Sequence, residues 1–351
     1  MTAPASESTV EPTLELLVRA TLGRAVDGLS AELFPPLAQD LDDIDLRLQS
    51  VLPATYAQLT EAAAYACRTG GKRLRPLLMA VGYRALGNES TVPVHALAAA
   101  FQLIHTASLV HDDVIDHAEL RRGRASLPRA FGLPTAIVTG DYLFVRAFEL
   151  AGEYSGSIIR RCGEACADLA EGEVLQEQSR FDLTTGREHY FRVIERKTAA
   201  IVAAGLASVA EIAGASRAVI DAYATYGKAV GIAFQLADDL LDVFGDPDLL
   251  GKPLYSDLRE GNPTLVALAA YDALAEPDRV TFERLFARRR KSPQDLLRLR
   301  ALIDRAGAGD RVRAEAARWA ERALVACDQV PAGPYRVLLM QLARGAAARR
   351  F

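Results

Sequence analysis

Cysteine, methionine and tryptophan are scarce in this 351-residue chain, with four, three and one of each. The four thiols, Cys67, Cys162, Cys166 and Cys327, match no zinc-ligand spacing. That argues against a structural zinc site and against a disulfide-stapled scaffold. They are expected to be reduced and buried, in a cytoplasmic protein; a regulatory disulfide between Cys162 and Cys166, one helical turn apart, is the alternative. No run of 18 apolar residues occurs, so no bilayer span is expected. The opening MTAPASESTVEP lacks the charged and apolar regions of a signal peptide. A basic excess is missing too: 41 Lys and Arg stand against 45 Asp and Glu, a net charge of -4, so no nucleic-acid partner is expected. Strand-like alternation of apolar and polar residues is also absent.

What remains is a helical text. Half of the residues are apolar and a quarter charged. Ala, Leu, Arg and Glu dominate, with apolar residues recurring at three and four. Gly and Pro breaks fall at mostly helix-sized intervals. Residues 1–12 read as a disordered tail and 13–351 as one all-α domain of ten or more helices. The most apolar stretches, 92–117 and 218–244, are expected at its centre. The long polar segment 245–264 is expected to be functional.

Two aspartate clusters carry the chemistry. Asp112, Asp113 and Asp116 end one apolar helix; Asp238, Asp239 and Asp242 repeat the spacing at the end of another. Asp112 and Asp116 share a face, one turn apart. Paired carboxylates repel unless a cation lies between them, and hard oxygen donors with room for water suit Mg²⁺. If the two helix ends face each other, about three divalent ions would balance the six charges and bind a polyanion. By contrast, Asp42, Asp43 and Asp45 break the spacing and read as a solvated helix surface. Cations supply the other half of a site: Lys72, Arg73 and Arg75 in GGKRLRP, Arg121 and Arg122 after the first cluster, Lys197 with Thr198, and Lys252. They suggest two anion sites, one built on Mg²⁺ and one directly on Arg and Lys.

GGKRLRP, DDVID followed by RRG, the KT pair, and FQLADDLLD with GD and GK downstream resemble the trans-isoprenyl (polyprenyl) diphosphate synthase family, from about residue 40 to the C-terminus. The resemblance implies an isoprenoid-synthase-type helical bundle around a central cavity, Mg²⁺ dependence and a homodimer. It places metal on Asp112, Asp116 and Asp238, with Asp113, Asp239 and Asp242 in support. Arg121, Lys197, Thr198, Gln235 and Lys252 would hold an allylic diphosphate. Lys72, Arg75, His105 and Arg122, with Arg73 beside them, would hold isopentenyl diphosphate. One departure stands out: Asn262 occupies a position where the family often has lysine, so the 245–264 loop brings less charge to a diphosphate.

Product length is read along the helix that ends at Asp112. Ala107 and Ser108 lie one turn below the aspartates, Ile104 two and Phe101 three, at about 5.4 Å per turn. Short-chain relatives place an aromatic one turn below; here both residues are small. GEVLQ at 172–176 also resembles the long-chain members, so the expected product is about C30 to C50, a length set by tunnel depth. Phe101, Tyr142, Phe144 and Phe148 are candidate floors. The rivals are a C20 product, a terpene cyclase and a non-catalytic partner subunit. Transient membrane contact is expected for release of a long product.

Overall fold

The computed structural model describes residues 31–68, 73–247 and 254–348. Lys72, Lys252 and the 1–12 tail lie outside them. The described chain is helical almost throughout. Its N-terminal half holds α1 (Phe34–Ser50), α2 (Ala57–Arg68), α3 (Leu74–Ala85) and the central α4 (Val92–Ile115). After a small hairpin come α5 (Leu127–Phe131), α6 (Leu133–Ala151), α7 (Gly156–Ser179), α8 (Gly186–Ile194) and α9 (Ala200–Ile212). The second long helix is α10 (Arg217–Phe244), followed by the short α11 (Ser256–Glu260). The chain closes through α12 (Leu265–Ala273), α13 (Asp278–Phe286), α14 (Pro293–Arg305), α15 (Ala308–Ala326) and α16 (Pro334–Ala347).

α4 starts with Pro93 in its first turn, has no internal Gly or Pro, and is buried on nearly every face. By length and composition it could cross a membrane, but 72% of its apolar window is buried inside the protein. It is a core helix, which is why it reads as apolar all round. α10 links the two apolar clusters. Tyr223, Tyr226, Val230 and Ala233 pack into the larger one, with α4 and α9. Ile232, Leu236, Leu240 and Val243 pack into the smaller one, with α12 and α14. The buried hydroxyls are satisfied: Tyr223 donates to the Gly82 carbonyl and Tyr226 to the Leu339 carbonyl, both at 2.8 Å.

Apart from short 3-10 turns, two features depart from the α-helical pattern. The first is an antiparallel hairpin, β1 (Leu120–Arg121) and β2 (Arg124–Ala125), with Arg121 opposite Arg124. Its two turn residues, Arg122 and Gly123, have φ of 52° and 75°, the left-handed pair that a two-residue hairpin needs. Two-residue strands are too short to alternate visibly in sequence. The second is a π-helical turn at Glu195–Ala199, between α8 and α9. Glycine lets its backbone sit close to two neighbours. A Cβ on Gly172 of α7 would lie 2.7 Å from the Lys197 amide nitrogen, and one on Gly231 of α10 would lie 2.7 Å from the Ala199 Cα. The turn is thus wedged between α7 and α10, as π-bulges at functional sites often are.

All four cysteines are free, three of them buried and Cys166 partly so. Burial pushes the thiols up, Cys67 and Cys162 to about 12 and Cys166 and Cys327 to about 11. They are poor nucleophiles.

Candidate active site

The last turn of α4 presents the first acidic cluster. Asp113 turns inward, buried, and accepts a 2.7 Å hydrogen bond from Arg121 Nε. The hairpin folds β1 back over the helix end and so delivers Arg121. Asp116 caps α4 and pairs with Arg180 at 2.7 Å. Asp112 is held more loosely, with Lys197 Nζ 3.9 Å away. Burial pushes the Asp112 carboxyl up to about 6; Glu173 and Asp116 add to the shift and Lys197 and Arg121 oppose it.

The second cluster ends α10. Asp239 is buried and accepts from the Tyr190 hydroxyl at 2.6 Å and from Gln235 Nε2 at 2.9 Å. Thr198 donates in turn to Gln235 Oε1 at 2.9 Å, which fixes the amide's orientation. Burial pushes Asp239 up to about 7; its two hydrogen bonds oppose this and the Asp238 and Asp242 charges add to it. Asp242, also buried, accepts the backbone N–H groups of Ser256 and Asp257, both at 3.1 Å. It thereby anchors the start of α11. Asp257 is driven well above the usual carboxylate range by burial and by Asp242. Asn262 Nδ2 donates to Asp257 Oδ1 at 3.2 Å and to Glu260 Oε2 at 3.1 Å. The amide N–H groups at 262 are therefore spent on the loop's own acids, while its Oδ1 is buried without a partner.

Both clusters reach one cavity of about 210 Å³. Asp116 lines it from the first and Asp239 from the second, with Lys197, Thr198, Gln235 and Asn262 between them. Lys197 comes from the π turn; it pairs with Glu173 and donates to Gln176 Oε1 at 3.4 Å. Among the described residues no three acidic, His or Cys side chains stand close enough to cage an ion by themselves. The donor set nevertheless fits a hard divalent ion. Mg²⁺ usually takes one or two carboxylates, keeps waters and shares substrate oxygens, and Asp112 is the carboxylate of the first cluster least committed to protein cations.

The second cationic group lies beside the same helix end, where Arg73, Arg121 and Arg122 line a small pocket with Gln102, Thr106 and Asp113 of α4. His105 is enclosed, and burial, followed by the charges of Arg75, Arg122, Arg121 and Arg73, pushes it well below the usual imidazole value. It is neutral at pH 7. Arg75 is enclosed as well: burial, with Arg122 adding, pushes it down to about 10, and its Nε has no hydrogen-bond partner. Arg73 bonds Asp45 at 3.2 Å and the Cys67 carbonyl at 3.3 Å. Asp45 remains about a third exposed on the α1 surface, where it pairs with Arg73. Four arginines around one neutral imidazole form a concentration of positive charge that suits a polyanion.

The polyprenyl synthetase family profile matches residues 56–303 of the chain. The protein belongs to this family. An octaprenyl diphosphate synthase of Escherichia coli (strain K12) is 33% identical over 313 residues, covering 89% of this chain and 96% of its own. An all-trans-nonaprenyl-diphosphate synthase (geranyl-diphosphate specific) of Rhodobacter capsulatus is 33% identical over 319 residues, covering 91% and 97%. The crystal structure of polyprenyl synthase from Caulobacter crescentus CB15, complexed with calcium and isoprenyl diphosphate, matches with a TM-score of 0.85 at 35% identity, covering 95% of this chain and 98% of that one. The described fold is thus that of a polyprenyl synthetase, and the chain is a prenyltransferase.

In this polyprenyl synthetase Ala107, Ser108, Ile104 and Phe101 are all buried along α4. Phe101 sits deepest, in the larger core beside Gly205 of α9. The other candidate floors stand elsewhere. Tyr142 donates its hydroxyl to the Leu52 and Pro53 carbonyls at 3.1 and 2.8 Å, Phe144 leans on His111, and Phe148 is 36% exposed. Phe148 is turned toward the outer face of α6, while Phe144 still packs against the larger core. Sequence reasoning also missed residues that shape the site. Tyr190 and Arg180 hold Asp239 and Asp116, and nothing in their local sequence announces it. Glu173 and Gln176 lay within GEVLQ, and Asp257 and Glu260 within the long polar segment, so their neighbourhoods were visible but not their roles.

Proposed function

We propose that the protein condenses an allylic diphosphate with isopentenyl diphosphate into an all-trans polyprenyl diphosphate of about C30 to C50, the length set by tunnel depth along α4. The observation that carries this is the pairing of two sites: a cavity lined by both acidic helix ends, and beside it an arginine group with an unsatisfied guanidinium. Asp112, Asp116 and Asp238 would hold Mg²⁺, which lends positive charge to the departing diphosphate. Lys197 and Arg121 add fixed positive charge on that side, where negative charge grows as the allylic bond breaks. Arg75, Arg122 and neutral His105 hold isopentenyl diphosphate so that its double bond faces the carbon left behind. The buried run of Ala107, Ile104 and Phe101 keeps the cationic carbon away from water, which would otherwise quench it. The released diphosphate takes the final proton.

Incubation with Mg²⁺, an allylic diphosphate and labelled isopentenyl diphosphate, followed by chromatography, tests this. The expected outcome is a ladder ending between about C30 and C50, with Ala107→Phe cutting it to about C15–C20 by closing the first turn. Cyclic hydrocarbon formed without isopentenyl incorporation, or no elongation, refutes the reading. A C20 end point refutes the long-chain part, and an unchanged ladder in Ala107→Phe refutes the tunnel direction.

Residues 13–351 are read as a single catalytic domain, because α10 is shared by both apolar clusters. A homodimer is also proposed, on the outer face of α6: Ile137, Val138 and Val145 are 42%, 54% and 64% exposed. An apolar stripe of this kind suits a self-complementary interface. Sedimentation should give twice the 37.9 kDa chain mass, and Val138→Asp with Val145→Asp should halve it; a wild-type monomer at micromolar concentration contradicts the proposal. A cytoplasmic enzyme that touches the membrane only to release its apolar product fits α4, whose apolar faces are spent on the core.

A further inference from the structure

Arg180 follows the last residue of α7 and reaches across to the end of α4. The backbone around it is fixed. The Phe181 N–H donates to the Gly261 carbonyl at 2.7 Å, and the Asp182 N–H to the Ser179 carbonyl at 3.1 Å. Phe181 has φ of 67°, which is costly for a bulky residue and persists only where its surroundings impose it. Those surroundings are visible: a Cβ on Gly261 would lie 2.3 Å from the Phe181 ring, while Lys291 and Arg289 sit 4.9 and 5.6 Å from its centroid. The backbone that carries the guanidinium is thereby held in place. Its side chain is 18% exposed; one arm lies 2.7 Å from Asp116 and Nε lies 2.6 Å from Glu177. The Glu260 charge reaches it as well. No lysine stands at 262 to meet these acids, and Asn262 contributes amide hydrogens only.

We propose that Arg180 is a positioning residue that acts as a resident counter-cation. It occupies Asp116 in the empty enzyme, sets the concentration of divalent ion needed to displace it, and turns toward the diphosphate once displaced. The inference rests on Asp116 being a metal ligand, as proposed above. A carboxylate closed on a guanidinium is withdrawn from an incoming ion, so apparent ion affinity falls by the fraction of time the pair is open. A pair closed about nine-tenths of the time raises the half-saturating concentration roughly tenfold. Glu177, one turn back on α7, gives the displaced guanidinium a second anchor, so the swing needs no movement of the locked backbone.

The test uses the full chain and Mn²⁺ alone, with free Mn²⁺ read by its electron paramagnetic resonance signal. Arg180→Gln should lower the half-saturating Mn²⁺ roughly tenfold. Arg180→Met, which keeps the packed stem, should do the same and serves if the glutamine variant does not fold. Arg289→Gln removes an equal charge behind Phe181 and should leave half-saturation within about twofold, since an exposed charge beyond the ring is screened. Unchanged or weaker Mn²⁺ binding in both Arg180 variants overturns the inference while the metal site stands. An equal gain in Arg289→Gln overturns it too, because bulk charge would then be the cause. No saturable Mn²⁺ binding by any form removes the metal site and the inference together.

Discussion

Asp112→Asn is expected to lower kcat/KM for elongation by about three orders of magnitude, on the order of 4 kcal/mol of transition-state stabilisation. Asp113 is tied to Arg121 and Asp116 to Arg180, whereas Asp112 has only Lys197 at 3.9 Å. It is the carboxylate with most capacity left for an ion, and burial already disfavours its charge, lifting its carboxyl to about 6. Such a group gains more from a divalent ion than from water. The asparagine has the same shape and removes a buried charge, so the melting temperature without ligand should hold or rise. A raised folded value means that the charge costs stability progressively as pH climbs from the ordinary carboxylate value of about 4 and in full above about 6, so the rise should be larger at pH 8 than at pH 5. Near-normal turnover with normal melting would remove Asp112 from the mechanism.

Arg75→Gln is expected to raise KM for isopentenyl diphosphate about a hundredfold, with KM for the allylic primer changed less than about threefold. Arg75 sits enclosed with an unsatisfied Nε and Arg122 for a neighbour, and no carboxylate pairs with it among the described residues. A bound polyanion is what such a group lacks. The same logic gives a second readout of opposite sign. The depressed value of about 10 means that the charge costs stability at neutral pH, a cost relieved only as pH rises through that value. The variant should therefore melt a few degrees higher than wild type without ligand, while inorganic diphosphate should stabilise wild type more. Equal KM values, or a lower melting temperature in Arg75→Gln, would make Arg75 a structural residue.

Much of this was legible in the chain because the signals are periodic. The aspartates repeat one spacing at the ends of two apolar helices, and α4 and α10 fall where the longest apolar stretches predict them. The arginines stood out because they cluster in short glycine-bearing segments. What was not legible depends on pairing between distant helices. Arg180 lies 64 residues from Asp116, and Tyr190 lies 49 residues from Asp239. A lone arginine or tyrosine carries no period to announce such a partner. Asp45 sits on a partly solvated helix surface as read, but its pairing with Arg73, 28 residues away, was hidden for the same reason. The hairpin at 120–125 was hidden by its brevity, although Arg122-Gly123 was a usable turn signal. Tyr142 and Phe148 looked like interior aromatics until the rotation of α6 was known.

The central claim is that two opposed acidic helix ends share ions on one diphosphate. A crystal structure with Mg²⁺ and an unreactive allylic thiolodiphosphate measures it directly. The account predicts ions bridging the diphosphate to Asp112 and Asp116 on one side and to Asp238 on the other. Ions gathered at one helix end alone, or a diphosphate seated outside the cavity between α4 and α10, would contradict it.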